Sequence, residues 1–455
     1  MKTHYPFLLL ALLLMATGCK QETSVTTSEP QAIAQNNDTA ERIDFPDFGF
    51  MASSKHYKGR VFVLSDKFPT EKPVQDEGVK KLLSMDFKND WKAYMQAVQE
   101  YVFEGNASTD YENAFFLEDN KVRNWFHVPW QHWGPTGREG FHGLTQEGPI
   151  PSLSLAAEQT ATTHAYAVGF YNDLGGYTIG KVWPDETPNY SGLKYEGFPE
   201  GTVVAKLLFV PLPGDQVPYL ENPVSWNAWV YENDLKSGEP KGDTTRVQSK
   251  VNVLQMDVMI KDPRAKETGG WIFGTYVYNG ALGNANKWYN LMPVGIMWGN
   301  DPNETLSSYN PTPTETIINP KLKETKINDS PDLPPMHLGW ASRLNGPADN
   351  SYSSCYSCHS TAEYPVISNI LPMFNDPAVQ IPKAGTNAPK EWMRWFRNIE
   401  CGTPFDKEAT SFDYSLQLAK SVQNYIEYAT QNMKGKYHEE YWSKQHKIRR
   451  NSLLD

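Results

Sequence analysis

Two cysteines and a histidine stand together in the sequence Cys355-Tyr356-Ser357-Cys358-His359. Two thiols with this spacing can form thioether bonds to the two vinyl groups of one haem, and a histidine directly after the second thiol can bind the iron. The motif therefore predicts one covalent haem c, held by Cys355 and Cys358, with His359 as the proximal ligand of the haem iron.

Other chemistries also use a C-x-x-C pair, notably thiol–disulfide exchange and zinc binding. A zinc site needs two further ligands, and the chain has only two other cysteines, Cys19 and Cys401. Haem attachment is favoured over both alternatives because an export signal, described below, agrees with it. Cys401 is then left without a partner, so we expect no structural disulfide.

The sixth position on the haem iron separates two functions. A distal Met or His would give a closed haem that passes electrons, whereas an open position would let a small molecule such as oxygen or peroxide reach the iron. Met373 lies in a Leu-Pro-Met-Phe segment that suits a distal methionine, and Met393 on a predicted helix is the alternative. The remaining candidates are Met336, His337 and Met433.

A second polar segment, residues 126–143, combines histidines with aromatic residues and glycines. This composition suits a rigid loop that lines a pocket. The candidate catalytic residues are His132, Arg138 and Glu139, as proton donors, metal ligands or substrate contacts. Nearby histidines that could join a copper or iron site are His127, His142 and His164. The favoured alternative is that all are packing residues, because no His-x-His or His-x3-His spacing occurs.

The first residues resemble an export signal. Phe7 to Met15 is an apolar run too short for a permanent membrane helix, and Ala16-Thr17-Gly18 precedes Cys19. The pattern predicts a signal peptide over 1–18 and resembles a bacterial lipobox, which implies lipidation of Cys19 and a membrane anchor. The alternative is an ordinary secretory signal. Residues 19–44 are polar and predict a flexible tether, and the protein would face the periplasm or cell surface, with the outer membrane favoured.

The charge balance bears on partners. The 455 residues include 42 basic and 53 acidic side chains, for a net charge of −11, and no basic run appears. Nucleic acid is therefore not expected as a partner. An acidic surface suits a carrier that docks on a redox partner protein, although many bacterial proteins share this charge.

The elements expected to position these residues fall into two groups. A helix is predicted from Asp90 to Glu104 by its apolar spacing, with Gly105 as stop. Beyond it, short apolar runs separated by Gly, Pro and Asn predict an antiparallel β-sandwich or jelly roll, with Gly175-Gly176 as a hairpin turn. The predicted strands are His164–Tyr171, Tyr177–Trp183, Thr202–Val210, Trp226–Tyr231, Val247–Lys261, Trp271–Tyr278 and Leu291–Trp298.

Tryptophans are numerous in this β-rich region. A platform of exposed tryptophans would bind glycans, but tryptophans in a sandwich are more often core residues. Glycan binding is therefore a weak alternative. The residues concerned are Trp226, Trp229, Trp271, Trp288 and Trp298.

Proline-rich sequence before the haem motif marks a candidate domain boundary. We expect a β-rich domain over 45–325 and a haem domain over 326–455, and so an α+β protein. After the motif, one helix is predicted from Pro389 to about Gly402. A second helix, capped by Ser411 or Asp413, would place Leu418 to Met433 along one stripe.

Cys355, Cys358 and His359, followed by these helices, resemble a monohaem cytochrome c domain over about the last 120 residues. The β-rich region, with segments such as Gly176-Tyr177-Thr178-Ile179-Gly180, is similar to uncharacterised bacterial proteins that carry such a domain. The resemblance implies haem c as cofactor and the ligand roles given above. The chain departs from the cytochrome pattern in having no clear helix before the motif.

Overall fold

A single antiparallel sheet of eight strands dominates the computed structural model. The structure describes residues 65–107, 114, 115, 117, 120–132, 138, 139, 141–190, 196–231, 246–308, 312–376 and 378–432, all within the unit Ala40–Asp455. The predicted signal peptide, the tether, Cys19 and Met433 lie outside these residues. Among those described, no helix has both the length and the apolar character that crossing a membrane requires.

The strands follow the order β1-β2-β3-β5-β6-β7-β8, and β4 pairs with the first half of β5. Six of the seven predicted strands are confirmed, with ends shifted by at most one residue. The strands are β1 Thr145–Ile150, β2 Thr163–Tyr171, β3 Val203–Val210, β4 Ser225–Tyr231, β5 Arg246–Lys261, β6 Trp271–Tyr278, β7 Leu291–Met297 and β8 Thr325–Ile327. These described strands share one sheet, so the facing second sheet that a sandwich requires is not among them.

Seven α-helices, several short 3-10 turns and a two-stranded ribbon complete the described part of the fold. The helices are α1 Glu77–Ser84, α2 Trp91–Phe103, α3 Asp173–Val182, α4 Cys355–His359, α5 Pro372–Asn375, α6 Lys390–Met393 and α7 Leu416–Asn432. The ribbon pairs β9 Glu363–Tyr364 with β10 Thr410–Ser411. The protein is therefore α+β, with a large antiparallel sheet and few helices.

The prediction of a strand from Tyr177 to Trp183 is wrong, because residues 177–182 belong to helix α3 and Trp183 follows its end. The Asn172 side chain caps this helix by accepting a hydrogen bond from the Gly175 backbone N–H at 3.2 Å. Gly176 does not form a hairpin turn either. A Cβ there would lie 2.4 Å from the ring of Phe126, so the glycine allows the helix to approach that ring.

Of the two helices predicted after the C-x-x-C-H motif, one is shorter than predicted and the other is confirmed. The predicted helix from Pro389 to Gly402 is short: α6 ends at Met393, a 3-10 turn follows to Phe396, and the chain then becomes extended. The Asn300 side chain donates to the carbonyl of Arg397 at 2.9 Å. This carbonyl therefore bonds a side chain and not a helical N–H. Helix α7 is confirmed, with Ser415 rather than Ser411 or Asp413 at its cap.

Strand β6 shows what covers the two faces of the sheet. The ring of Phe273 lies 4.9 Å from that of Tyr356 in α4, whereas a Cβ on the next residue, Gly274, would lie 2.4 Å from Met95 in α2. Successive residues of a strand point to opposite faces. Helix α2 therefore covers one face, and the helix with the C-x-x-C-H motif packs directly on the other.

Candidate functional site

Helix α4 consists of the C-x-x-C-H motif itself. It begins with a capping box: the Ser354 hydroxyl accepts from the Ser357 N–H at 3.0 Å, and the Ser357 hydroxyl accepts from the Ser354 N–H at 2.7 Å. Ser354 also donates to the side chain of Asn300 at 2.8 Å. These bonds fix a five-residue helix that has few internal hydrogen bonds of its own.

Tyr356 anchors this helix to the sheet. Its side chain is fully buried, and its hydroxyl donates to the carbonyl of Trp271 on β6 at 2.5 Å. The two cysteines are free and remain partly exposed. The Cys355 sulfur lies 3.9 Å from the Asn345 side-chain oxygen, and the Cys358 sulfur lies 3.8 Å from the Ile370 carbonyl.

The surroundings of the thiols bear on their chemistry. Burial raises the pKa of Cys358 to about 11 and raises the pKa of Cys355 well above the ordinary thiol value. Both thiols are therefore protonated at neutral pH. A pair built for thiol–disulfide exchange needs a lowered pKa, so this environment disfavours that alternative. A zinc site is not supported either, since no three ligating side chains converge within the described residues.

His359 has one ring nitrogen engaged. Its Nδ1 lies 2.8 Å from the carbonyl oxygen of Tyr414. A carbonyl oxygen only accepts, so Nδ1 carries the proton and Nε2 keeps its lone pair. Burial lowers the pKa of His359 to about 4, which makes the imidazole neutral at pH 7. Metal-binding histidines commonly donate one ring N–H to a carbonyl while the other nitrogen binds the metal.

A row of polar residues crosses the sheet beside the motif. Lys206 on β3, Asp257 on β5 and Thr275 on β6 are neighbours in the strand register. The Thr275 hydroxyl donates to Asp257 at 2.8 Å, and the Gln255 amide donates to both Asp257 and Asp349, at 2.8 and 2.9 Å. Burial first, and then the charge of Asp349, raises the pKa of Asp257 to about 7.

This row lies close to the motif. The charges of Asp257 and Asp349 contribute to the raised pKa of the Cys355 thiol, and the charge of Lys206 acts on His359. Lys206 also forms an ion pair with Glu147 on β1, at 3.1 Å. Lys206, Asp257 and Asp349 are all partly exposed, so polar groups line the space next to the candidate haem anchors.

The candidates for the sixth ligand lie in two environments. Met336 and His337 are buried, and the His337 Nε2 donates to the carbonyl of Pro347 at 3.0 Å. Met373 and Met393 are partly buried and pack against an aromatic cluster. Its members include Trp340, Trp392, Trp395 and Phe396. Met373 lies in the short helix α5, three residues after Ile370, whose carbonyl contacts Cys358. This places α5 close to the motif in the chain.

Arg138, Glu139 and His142 of the polar segment are held by neighbouring residues. The Glu139 carboxylate accepts from the backbone N–H groups of Phe141, His142 and Trp229 at 3.1, 2.7 and 3.0 Å. The His142 ring stacks on Trp226, with ring centroids 4.7 Å apart. Arg138 donates to the carbonyls of Gly143 and Val128. These contacts favour the alternative that the segment is a packed loop.

The other candidate histidines, His127, His132 and His164, each have different neighbours. His132 lines a cavity of ≈ 10 Å³ with Glu139 and Arg246, room for about one water molecule. His127 accepts from the N–H of Ser65 at 3.2 Å, and the His164 Nδ1 lies 3.0 Å from the carbonyl of Glu147. These different partners do not assemble a joint metal site from the histidines.

The tryptophans proposed for a glycan platform do not form one. Four of the five are at least 94% buried, as expected for core residues, and Trp229 is partly exposed. The buried residues are Trp226, Trp271, Trp288 and Trp298.

The C-x-x-C-H residues could be recognised from their spacing in the sequence, whereas the residues that contact them in the structure could not. Tyr414 lies 55 residues after His359, and nothing in its sequence context marks it as a hydrogen-bond acceptor. The polar residues Gln255 and Asp257 did leave a signal, because they interrupt an apolar strand. Comparison with known proteins found no matching family, no matching curated protein and no matching solved structure.

Proposed function

We propose that this chain is a monohaem c-type cytochrome that transfers electrons. The observation that carries the proposal is the state of His359: a neutral imidazole whose Nδ1 donates to Tyr414, leaving Nε2 available, on the same helix turn as two free thiols. When bound, the haem supplies one-electron chemistry by alternating between ferric and ferrous iron.

In this proposal each thiol would add across one haem vinyl group. The sulfur would bond to one vinyl carbon and the thiol proton would go to the other, so attachment would consume no oxidant. Cys355 and Cys358 would hold the haem, and His359 would bind its iron. Met373, with Met393 as the alternative, would be the second iron ligand, because its helix α5 follows directly on the segment that contacts Cys358 through Ile370.

Localisation belongs to the same proposal. A signal peptide over 1–18 would export the chain, and lipidation of Cys19 would anchor it to a bacterial membrane, facing the periplasm or the cell surface. A redox partner protein would then meet the haem domain. We expect labelled fatty acid to be incorporated into the wild-type protein and not into Cys19→Ala; equal labelling of both would remove the lipid anchor from the proposal.

Haem attachment is tested first. The wild-type protein should keep its haem after extraction with acidified acetone, and Cys355→Ala/Cys358→Ala should lose it. Cys401→Ala, which removes a cysteine outside the motif, is the matched control and should retain haem. A wild-type protein that is matured in an export host with a cytochrome c assembly system and still carries no covalent haem would contradict the proposed function.

One observation favours a second candidate, a haem-dependent oxidoreductase with an open iron position. Asp257 and Asp349 place partly exposed polar groups near Cys355, and Lys206 does so near His359, where a small substrate could bind. Optical spectra with and without carbon monoxide separate the two candidates. A low-spin ferrous haem that does not bind carbon monoxide supports electron transfer. A high-spin ferrous haem that binds carbon monoxide supports the oxidoreductase.

A further inference from the structure

The carbonyl that orients His359 belongs to an unusual piece of backbone. Asp413 and Tyr414 both have positive φ angles, 48° and 69°. Residues other than glycine rarely adopt this left-handed conformation, and two in succession persist only when their surroundings hold them. The position of the Tyr414 carbonyl therefore depends on whatever holds this turn.

The Asp413 side chain is the principal restraint. It is 1% exposed, and its carboxylate accepts from the backbone N–H of Phe198 at 2.9 Å and from the Trp271 indole N–H at 3.2 Å. Gly197 makes room for it, because a Cβ there would lie 2.7 Å from the carboxylate. Three separate segments of chain therefore meet at this one carboxylate.

Lys261 supplies the matching charge. This residue ends strand β5, is 7% exposed, and places its Nζ 2.7 Å from both oxygens of Asp413. Its backbone is fixed by pairing with Thr202 and Gly201. The ion pair thus ties the turn to the rigid sheet, and the Tyr414 hydroxyl adds a second tie by donating to the Ile399 carbonyl at 2.6 Å.

We propose that the buried Lys261–Asp413 ion pair is a positioning device that sets the strength of the His359 hydrogen bond, and through it the reduction potential of the haem. The inference rests on the proposed function, since it concerns the ligand of a bound haem. Lys261 and Asp413 touch neither the thiols nor the imidazole in the contacts described above. They act through the carbonyl of Tyr414.

The direction of the effect follows from ligand chemistry. A hydrogen bond from Nδ1 to a carbonyl makes the imidazole more basic. A more basic ligand stabilises ferric iron more than ferrous iron and lowers the reduction potential. Releasing the turn weakens this bond and should raise the potential. Loss of a positive charge near the haem acts in the opposite direction, because it favours the ferric state.

The test is therefore whether the reduction potential of the haem rises or falls in Lys261→Met. Positioning predicts that the potential of the haem-loaded variant rises, by at least a tenfold change in the reduction equilibrium, which is 59 mV for one electron. The matched control is Lys206→Met, because the charge of Lys206 acts on His359 without bonding to the turn, and its potential should fall. Lys261→Arg should return the potential towards the wild-type value.

A second readout covers variants that are poorly stable. In the diamagnetic ferrous protein, the His359 Nδ1 proton should exchange with deuterated solvent faster in Lys261→Met than in the wild type. If Lys261→Met does not accumulate, Asp413→Asn should show the same faster exchange. A falling potential, or an unchanged potential with unchanged exchange, would overturn the inference while covalent haem remains attached. Absence of covalent haem from the wild-type protein would instead overturn the proposed function.

Discussion

The carboxylate of Glu363, four residues after His359, accepts a hydrogen bond from the backbone N–H of Asp406 at 2.8 Å. Glu363 is fully buried, and its other oxygen meets no hydrogen-bond partner. Burial above all, with a further contribution from the charge of Asp406, raises the pKa of Glu363 to about 8. The folded protein therefore keeps this proton at pH 7, whereas the unfolded chain releases it.

The free energy of unfolding should consequently fall as pH rises. Between the unfolded pKa near 4.5 and the folded pKa of about 8, this group should remove about 1.4 kcal/mol per pH unit. Urea titrations at several pH values should show that slope reduced in Glu363→Gln. The exposed Glu391→Gln should keep it, and equal slopes in all three proteins would contradict the prediction.

Helix α3 offers a test of packing against propensity. Alanine favours a helix interior over glycine by about 1 kcal/mol, yet a Cβ at Gly176 would overlap the ring of Phe126. We expect Gly176→Ala to lower the free energy of unfolding by about 1–3 kcal/mol, as overpacking does. At Gly148 a Cβ would meet nothing within 4 Å, so Gly148→Ala should be nearly neutral. If Gly176→Ala is more stable than the wild type, the Phe126 ring moves to make room for the added methyl group.

Arg343 should tolerate no replacement by lysine. Its buried guanidinium donates to the carbonyls of Asn300, Asp301 and Glu304 at 2.7, 2.8 and 2.8 Å. A lysine carries one ammonium group and lacks the planar fork that reaches several carbonyls. We expect Arg343→Lys to lose about 2–4 kcal/mol of stability, measured by urea unfolding, because buried acceptors lose their donors. Unchanged stability would mean that water replaces the lost bonds.

The raised pKa of the Cys358 thiol makes a prediction for protein produced without haem. With Cys19, Cys355 and Cys401 replaced by alanine, Cys358 is the sole thiol. Its alkylation at pH 8 should be roughly a hundredfold slower than that of a model thiol with an ordinary pKa of about 8.5, because a pKa of about 11 leaves little thiolate. The rate should keep rising up to about pH 11. A plateau near pH 8.5 would contradict the raised pKa of Cys358.

Sequence patterns predicted those elements whose signals are local. Strands such as β3 and β6 are rich in apolar and aromatic residues, and the predicted bounds of both agree with the structure to within one residue. Helix α3 was missed because Thr178 and Ile179 have strand-like propensities and Gly175-Gly176 resembles a turn. Its glycines instead serve contacts with Tyr171 and Phe126. Tertiary packing overrode local preference there.

The candidate site also has one part that the sequence predicts and one part that it does not. Cys355, Cys358 and His359 are neighbours in sequence, so one motif identifies all three. The groups that orient His359 come from three distant segments: Lys261 on β5, Asp413 and Tyr414 before α7, and Phe198 beyond α3. No periodicity or spacing relates these segments, because their proximity is created by the fold.

The docking of α4 on the sheet has a consequence for the order of events during biosynthesis. Its anchors span long stretches of sequence: Tyr356 bonds Trp271 across 85 residues, and Asp413 bonds Lys261 across 152. Closing such loops is slow compared with forming local helix contacts. The thiols of a newly made chain therefore stay accessible while the sheet assembles. If the proposed function holds, a slowly closing sheet would lengthen the interval in which haem can be joined to the chain before helix α4 docks on the sheet.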